Sequence, residues 1–319
     1  MSPEVLAYLL SYLRTSSSRQ YESVWNKLRN YVILSKPEII DFNFVGKFLI
    51  YLFEKEKFEA NTIKSYLAAI KEPLTLAFGI NLDDGRVSQL MRSFWLKKPG
   101  LRYIEPKWQL EPVLDLLGTE AFVAPHISPD NLLMKCLFLL GLAMGPRVSE
   151  FASLLRGKRH IIFSPRNRSM TIVPNAAFLL KNEAPKFRRR PVNIQAFIKR
   201  DGTHHPLCPV QCLRMYLSVT RKFNNKPYLF LNPITGARCN RGRIRYLIRK
   251  LIRITQPDIY TTFHDLRKFA CWKAFWSNMS PGDIRNVGFW RSNSAVIRSY
   301  IQGSAPVNVP FVALGRACT

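Results

Sequence analysis

Acidic residues are scarce in this chain: 21 Asp and Glu stand against 48 Lys and Arg in 319 residues, a net charge of +27. Nowhere do the few carboxylates gather into the kind of cluster that holds Mg²⁺ for a nuclease. No GxxxxGK[ST] run occurs either, so nothing points to nucleoside triphosphate chemistry. Long apolar stretches are missing. The longest runs from Cys136 to Met144, far short of the ~20 residues a membrane span needs. Met-Ser-Pro-Glu at the N-terminus lacks the basic and apolar regions of a secretion signal. The six cysteines are scattered, without a CxxC pair, which fits a reducing compartment rather than a disulfide framework. His204-His205 with Cys208 and Cys212 looks like a metal cluster only superficially, because no second pair follows at zinc-finger spacing. No metal, no cofactor and no membrane association are expected. The location expected is intracellular: the nucleus in a eukaryote, the cytoplasm or nucleoid in a prokaryote.

What is present is a 47% hydrophobic, 12% aromatic chain, enough for a substantial core and too long for one small domain. A cationic excess of this size on a folded protein calls for a polyanionic partner, and the aromatics favour nucleic acid over a membrane surface. Residues 3–96 read as helices only, at Pro3–Leu13, Arg19–Leu34, Phe44–Phe53, Asn61–Phe78 and Val87–Trp95, with Thr15–Ser18 as a hydroxyl-rich cap. Nothing there sets a nucleophile beside a base, so binding is the role expected of this bundle. The polar, basic, proline-bearing stretch Lys97–Pro106 is the linker candidate. It sets the expected domains at 1–105 and 106–319.

The second region opens with helices at Glu111–Leu117 and Asn131–Met144, the latter apolar nearly all round and therefore central. Gly145-Pro146 breaks it and is expected to restart a helix with Arg147 in its first turn and Glu150 three residues on to hold the guanidinium. Strand signals follow at Arg159–Phe163, Met170–Val173, Ala177–Leu180 and Pro191–Ile194. The turn Lys181–Arg190 carries five basic residues, Lys186 among them. Residues 240–253 form an amphipathic helix in which Arg241, Arg245, Arg249 and Arg253 recur every four residues opposite Ile244, Leu247, Ile248 and Leu251. Such a stripe suits a row of phosphates.

Thr262-Phe-His-Asp265 has the spacing of a helix capping box, and the helix it starts carries His264 and Arg267 on one face of its first turn. Ser280-Pro281 starts another helix, Gly288 ends it, and Ser292-Asn293 can cap a last one holding Tyr300.

Gly-Pro-Arg147-Val-Ser-Glu150, the basic β-turn, His264-x-x-Arg267, and Gly288-Phe-Trp290 followed by Tyr300-Ile301 together resemble the catalytic domain of the tyrosine recombinases, the phage-integrase family. The likeness spans 106–302, and the helical 1–105 is similar to that family's core-binding domain. The resemblance implies a mainly α fold with a small β-sheet, a helical DNA-gripping domain and an α+β catalytic domain forming a clamp round duplex DNA. It implies that Arg147 and Arg267 hold the scissile phosphate and that Tyr300 is the nucleophile. His264 is then an acid/base or hydrogen-bonding partner, and Glu150 the support for Arg147. The lysine that protonates the departing 5′ oxygen matches Lys181, with Lys186 in the same turn as the alternative. Trp290 stands where most of the family has a second His, as in a minority of active members, and its interval to Tyr300 is one residue longer than usual. Four protomers on two DNA sites are implied, with the apolar tail at 303–319 docking on a neighbour. Trp108, Leu207-Cys208-Pro209-Val210 and Gly-Phe-Trp-Arg-Ser are similar to recombinases of eukaryotic DIRS-type and Crypton mobile elements.

The chemistry agrees. Two arginines, always charged, stabilise the pentacoordinate transition state of a phosphodiester without a metal. A tyrosine of pKa near ~10 attacks only where cations hold its anion or a base takes its proton. A phosphotyrosine link keeps the bond energy, so rejoining needs no ATP. Two other readings use the same sequence differently: a non-enzymatic DNA-binding protein descended from a mobile element, and a type IB topoisomerase-like enzyme.

Overall fold

Apolar residues three and four apart build four packed helices near the N-terminus: α1 Thr15–Ser35, α2 Phe42–Glu54, α3 Ala60–Phe78 and α4 Gly85–Lys97. In this computed structural model the described residues are 4–5, 15–99, 108–178 and 191–288. The chain divides into two compact units, 1–102 and 103–319. In the first unit, Phe48, Leu49 and Leu52 of α2 and Ile63 and Ile70 of α3 are buried, joined by Val24, Val87 and Phe94 from α1 and α4. Asp41 caps α2 by accepting from the Phe44 N–H at 2.8 Å, and Asp84 caps α4 by accepting from Arg86 N–H at 2.8 Å. The Trp25 indole donates to the Ala69 carbonyl at 3.1 Å and ties α1 to α3. Thr15–Ser18, expected as a cap, lie inside α1, because hydroxyl residues carry only a small helix penalty that an amphipathic helix absorbs.

The second unit is built on α6, Pro129–Met144, preceded by α5, Glu111–Gly118. Ser128 caps α6 through the Asn131 N–H, and Leu133, Cys136, Leu137, Phe138 and Leu140 of that helix are fully buried. Its one inward cation, Lys135, donates to the carbonyls of Leu117 at 2.8 Å and Phe122 at 2.7 Å. One of these is an orphan acceptor at the end of α5.

Three short strands, β1 Ile161–Phe163, β2 Ser169–Ile172 and β3 Val192–Gln195, form an antiparallel sheet in that order. Ile161, Met170, Ile172 and Ile194 face the core. No strand forms at 176–178, where Ala177–Leu180 promised one. Instead the Asn175 side chain accepts from the Ala177 N–H at 3.0 Å and its carbonyl from Phe178 at 3.1 Å, folding the backbone into a turn. Among the described residues the unit also holds helices α7 Val148–Phe151, α8 Pro209–Val219, α9 Arg241–Thr255, α10 Phe263–Trp276 and α11 Pro281–Gly288. The architecture is mainly helical with a small sheet, as the sequence implied. No described helix is long and apolar enough to cross a membrane.

Candidate active site

At the end of α6 the backbone turns left-handed at Gly145, with φ of 53°, and Pro146 follows. The chain cannot continue as a helix through that pair. Arg147 was expected inside the next helix; it precedes it instead, with extended φ and ψ of −74° and 149°. That helix, α7 Val148–Phe151, is a single turn. Glu150 explains the placement. Its buried carboxylate accepts the Arg147 backbone N–H at 2.8 Å through one oxygen and the Arg147 guanidinium at 2.8 Å through the other. Arginine has no acceptor to return, so the carboxylate alone caps this turn. Phe151, fully buried against Phe230 and Phe263, anchors the turn in the core.

The second half of the site sits on α10. Asp265 accepts from the N–H of Thr262 at 2.8 Å and from its hydroxyl at 3.1 Å, fixing the helix start where the spacing placed it. Arg267 follows, fully buried, and its guanidinium donates to the Gly145 carbonyl at 2.7 Å. The end of α6 and α10 pack at ordinary contact distance, and the left-handed φ of 53° is what favours glycine at 145. A Cβ at Gly145 would lie 3.4 Å from that of Ala270, and one at Gly141 3.6 Å from Leu266 Cδ1. Arg267, distant in sequence, is thereby tied to the turn that leads into Arg147.

His264 stands beside them. Its pKa is pushed down to about 4, first by the protein packed around the ring and then by the charges of Arg267 and Lys268, with Asp265 pulling the other way and Arg147 adding the least. The residue is still open to solvent on one side. Because the cations act in the same direction as the packing, the ring is neutral at neutral pH, able to accept as well as donate a hydrogen bond.

Two contributors escaped sequence reasoning. Lys268 lies 3.5 Å from Asp265 and adds a third cation beside His264. Its adjacency to Arg267 was the available signal. The Gly145 carbonyl had none, since a backbone acceptor leaves no mark on residue type. Lys181, Lys186, Trp290 and Tyr300 lie outside the described residues, as do the turn 181–190, the stretch 100–107 and the tail 303–319.

On α9 the stripe keeps the predicted order. Arg241, Arg245 and Arg253 are exposed and Arg249 is half-buried over the Tyr260 ring at 5.4 Å, while Ile244, Leu247, Ile248 and Leu251 face inward. None of the four arginines pairs with a carboxylate among the described residues. Also among the described residues, no three His, Cys, Asp or Glu side chains group to hold a metal.

Residues 5–81 match the family described as Phage integrase SAM-like domain. The search of curated proteins found no sequence match. Among solved structures, the chain is similar to a variant of the Tn1549 transposon integrase (residues 82–397) in complex with a circular intermediate DNA. The TM-score is 0.61 at 12% identity, over 98% of each chain. It is similar to lambda integrase (75–356), solved as a dimer bound to a COC′ core site, with a TM-score of 0.59 at 10% identity over 95% of each. XerH site-specific recombinase, bound to a palindromic difH substrate, matches with a TM-score of 0.61 at 14% identity, covering 90% of this chain and 76% of that one. The chain has the fold of the tyrosine recombinases.

Proposed function

We propose that this protein is a site-specific DNA recombinase that cleaves and rejoins DNA through a covalent 3′-phosphotyrosine, with neither metal nor ATP. The observation that supports the reading is the Arg267 guanidinium on the Gly145 carbonyl, two residues ahead of a Glu150-held Arg147, with the charges of both arginines felt at His264. Two fixed guanidiniums present donors where charge builds on a phosphorus under attack, and fixed donors cost no reorganisation at that moment. In this reading Arg147 and Arg267 clamp the phosphate, Glu150 holds Arg147, and His264 hydrogen-bonds the phosphate or moves a proton. Tyr300 attacks, Trp290 flanks the phosphate, and Lys181 or Lys186 protonates the leaving 5′ oxygen.

The helical region 1–105 and the α9 stripe of Arg241, Arg245 and Arg249 supply grip on duplex DNA. The similar structures, a transposon integrase and recombinases on DNA, support this role. Kinship with DIRS-type or Crypton elements, assembly as a tetramer through the tail, and action in a nucleus belong to the same proposal.

Incubation with nicked suicide duplexes tests it: a covalent protein–DNA adduct forms, and Tyr300→Phe abolishes it. Binding without an adduct would leave a DNA-binding protein. Plasmid relaxation without intermolecular products would leave a topoisomerase.

A further inference from the structure

The turn between β1 and β2 places an arginine where the backbone favours glycine. Ser164 to Asn167 is a β-turn closed by the Asn167 N–H on the Ser164 carbonyl at 3.0 Å. Pro165 takes its second position and Arg166 its third, with φ of 56° and ψ of 18°. That third position, with φ above zero, belongs to Gly or Asn, and an arginine there is strained against its own Cβ. The next residue, Asn167, is left-handed as well at φ 53°. The turn is held stiffly, since Ser164 accepts from the Ser169 N–H through its hydroxyl at 2.8 Å and donates its own N–H to the Ser169 carbonyl at 3.0 Å.

A second turn leaves the same end of the sheet. The Ala196 N–H donates to the Arg168 carbonyl at 2.8 Å, and from there Phe197 and Ile198 run into the turn Lys199–Gly202, which pairs back at His204. Arg166, Arg168, Lys199 and Arg200 are all exposed, and so is Phe197 at 52%. The one acid there, Asp201, is occupied within its own turn by the Thr203 N–H at 2.8 Å and hydroxyl at 2.6 Å. None of the four cations pairs with a carboxylate among the described residues.

We infer that the two turns at 164–169 and 197–204 form a contact for the phosphate backbone of duplex DNA, separate from the Arg147–Arg267 site, with Arg166 as its central cation. Local strain persists where the surroundings fix it and a function uses it. Here the strain holds a guanidinium at the tip of a rigid turn. An exposed aromatic among four cations, with a single carboxylate that is bonded within its own turn, fits a polyanion with apolar grooves better than an acidic protein face. The inference rests on the DNA-binding reading given above.

Arg166→Gly separates strain from charge. Measured by thermal melting and by DNA affinity across a salt series, it melts at the same or a higher temperature than the wild type yet binds duplex more weakly. The slope of log K against log salt falls by roughly 0.9 for each phosphate that is no longer neutralised. Arg166→Asn, which tolerates the left-handed backbone without a charge, behaves likewise, whereas Arg166→Lys keeps most of the slope. Unchanged affinity and slope in Arg166→Gly overturn this role for the turns while leaving the recombinase reading intact. Failure of the wild-type protein to bind duplex at all overturns both.

Discussion

Arg267 donates through its guanidinium to the carbonyl of Gly145 at 2.7 Å, two residues ahead of Arg147. The bond ties the Arg267 guanidinium to the turn from which Arg147 departs, while the Arg147 guanidinium itself is held by Glu150, so a change at the turn bears on the backbone that places both residues. Gly145→Ala tests this without touching a charged group. Its new Cβ is strained at φ 53° and sits 3.4 Å from Ala270. Left-handed strain costs about 1–2 kcal/mol, read as a lower midpoint in urea. Cleavage of suicide substrate should fall by more than that loss of folded protein explains. Proportionate losses would mean that the turn is only structural.

Arg267 itself is fully buried, and one of its partners is a backbone oxygen. Arg267→Ala leaves the Gly145 carbonyl without its donor, an effect of about 1–3 kcal/mol, and Arg267→Lys restores charge without the planar fork. Both variants should lose adduct formation while keeping most duplex affinity, as gel shifts would show. Equal loss of binding and cleavage would assign Arg267 to grip.

Glu150 holds both ends of Arg147, through the backbone N–H and the guanidinium. Glu150→Gln keeps the shape but weakens both bonds. A misplacement on the order of 1 Å costs about 100-fold in rate, so single-turnover cleavage should slow by roughly that factor at saturating DNA while the dissociation constant barely moves. A change confined to affinity would contradict the positioning role.

Much of this was legible in the sequence, because its signals are local. Periodicity marked the helices. The spacing of Thr262 and Asp265 set the start of α10, and that of Arg147 and Glu150 gave their pairing. What escaped depends on residues distant in the chain or on backbone atoms. The Arg267–Gly145 bond spans 122 positions. Arg156 is a further case: nothing in the sequence marks it, yet it is buried and donates to the Thr220 carbonyl at 3.2 Å and to Asn224 at 3.0 Å, just past the end of α8. At 176–178 the short polar side chain of Asn175 competed for backbone N–H groups and won over a weak strand pattern. Arg166 looked ordinary because residue type alone does not reveal a positive φ.

His264 links the site to pH. Its folded pKa of about 4 lies below its ordinary 6.5, depressed by the packing around it and by Arg267, Lys268 and Arg147. Between those two values the unfolded chain binds a proton that the folded chain refuses, so stability falls as pH drops through that window and is constant, for this group, above it. Denaturant midpoints measured from pH 8 to pH 4 should show the decline, and His264→Asn should flatten it. In the native protein, NMR titration should find the ring neutral at pH 6. Lys268→Met removes one of the three cations and should move the ring's titration upward, with Lys268→Arg restoring it. A native His264 that titrates near 6.5 would show that neither the packing nor the three cations bear on the ring, and an unmoved titration in Lys268→Met would remove Lys268 from its surroundings.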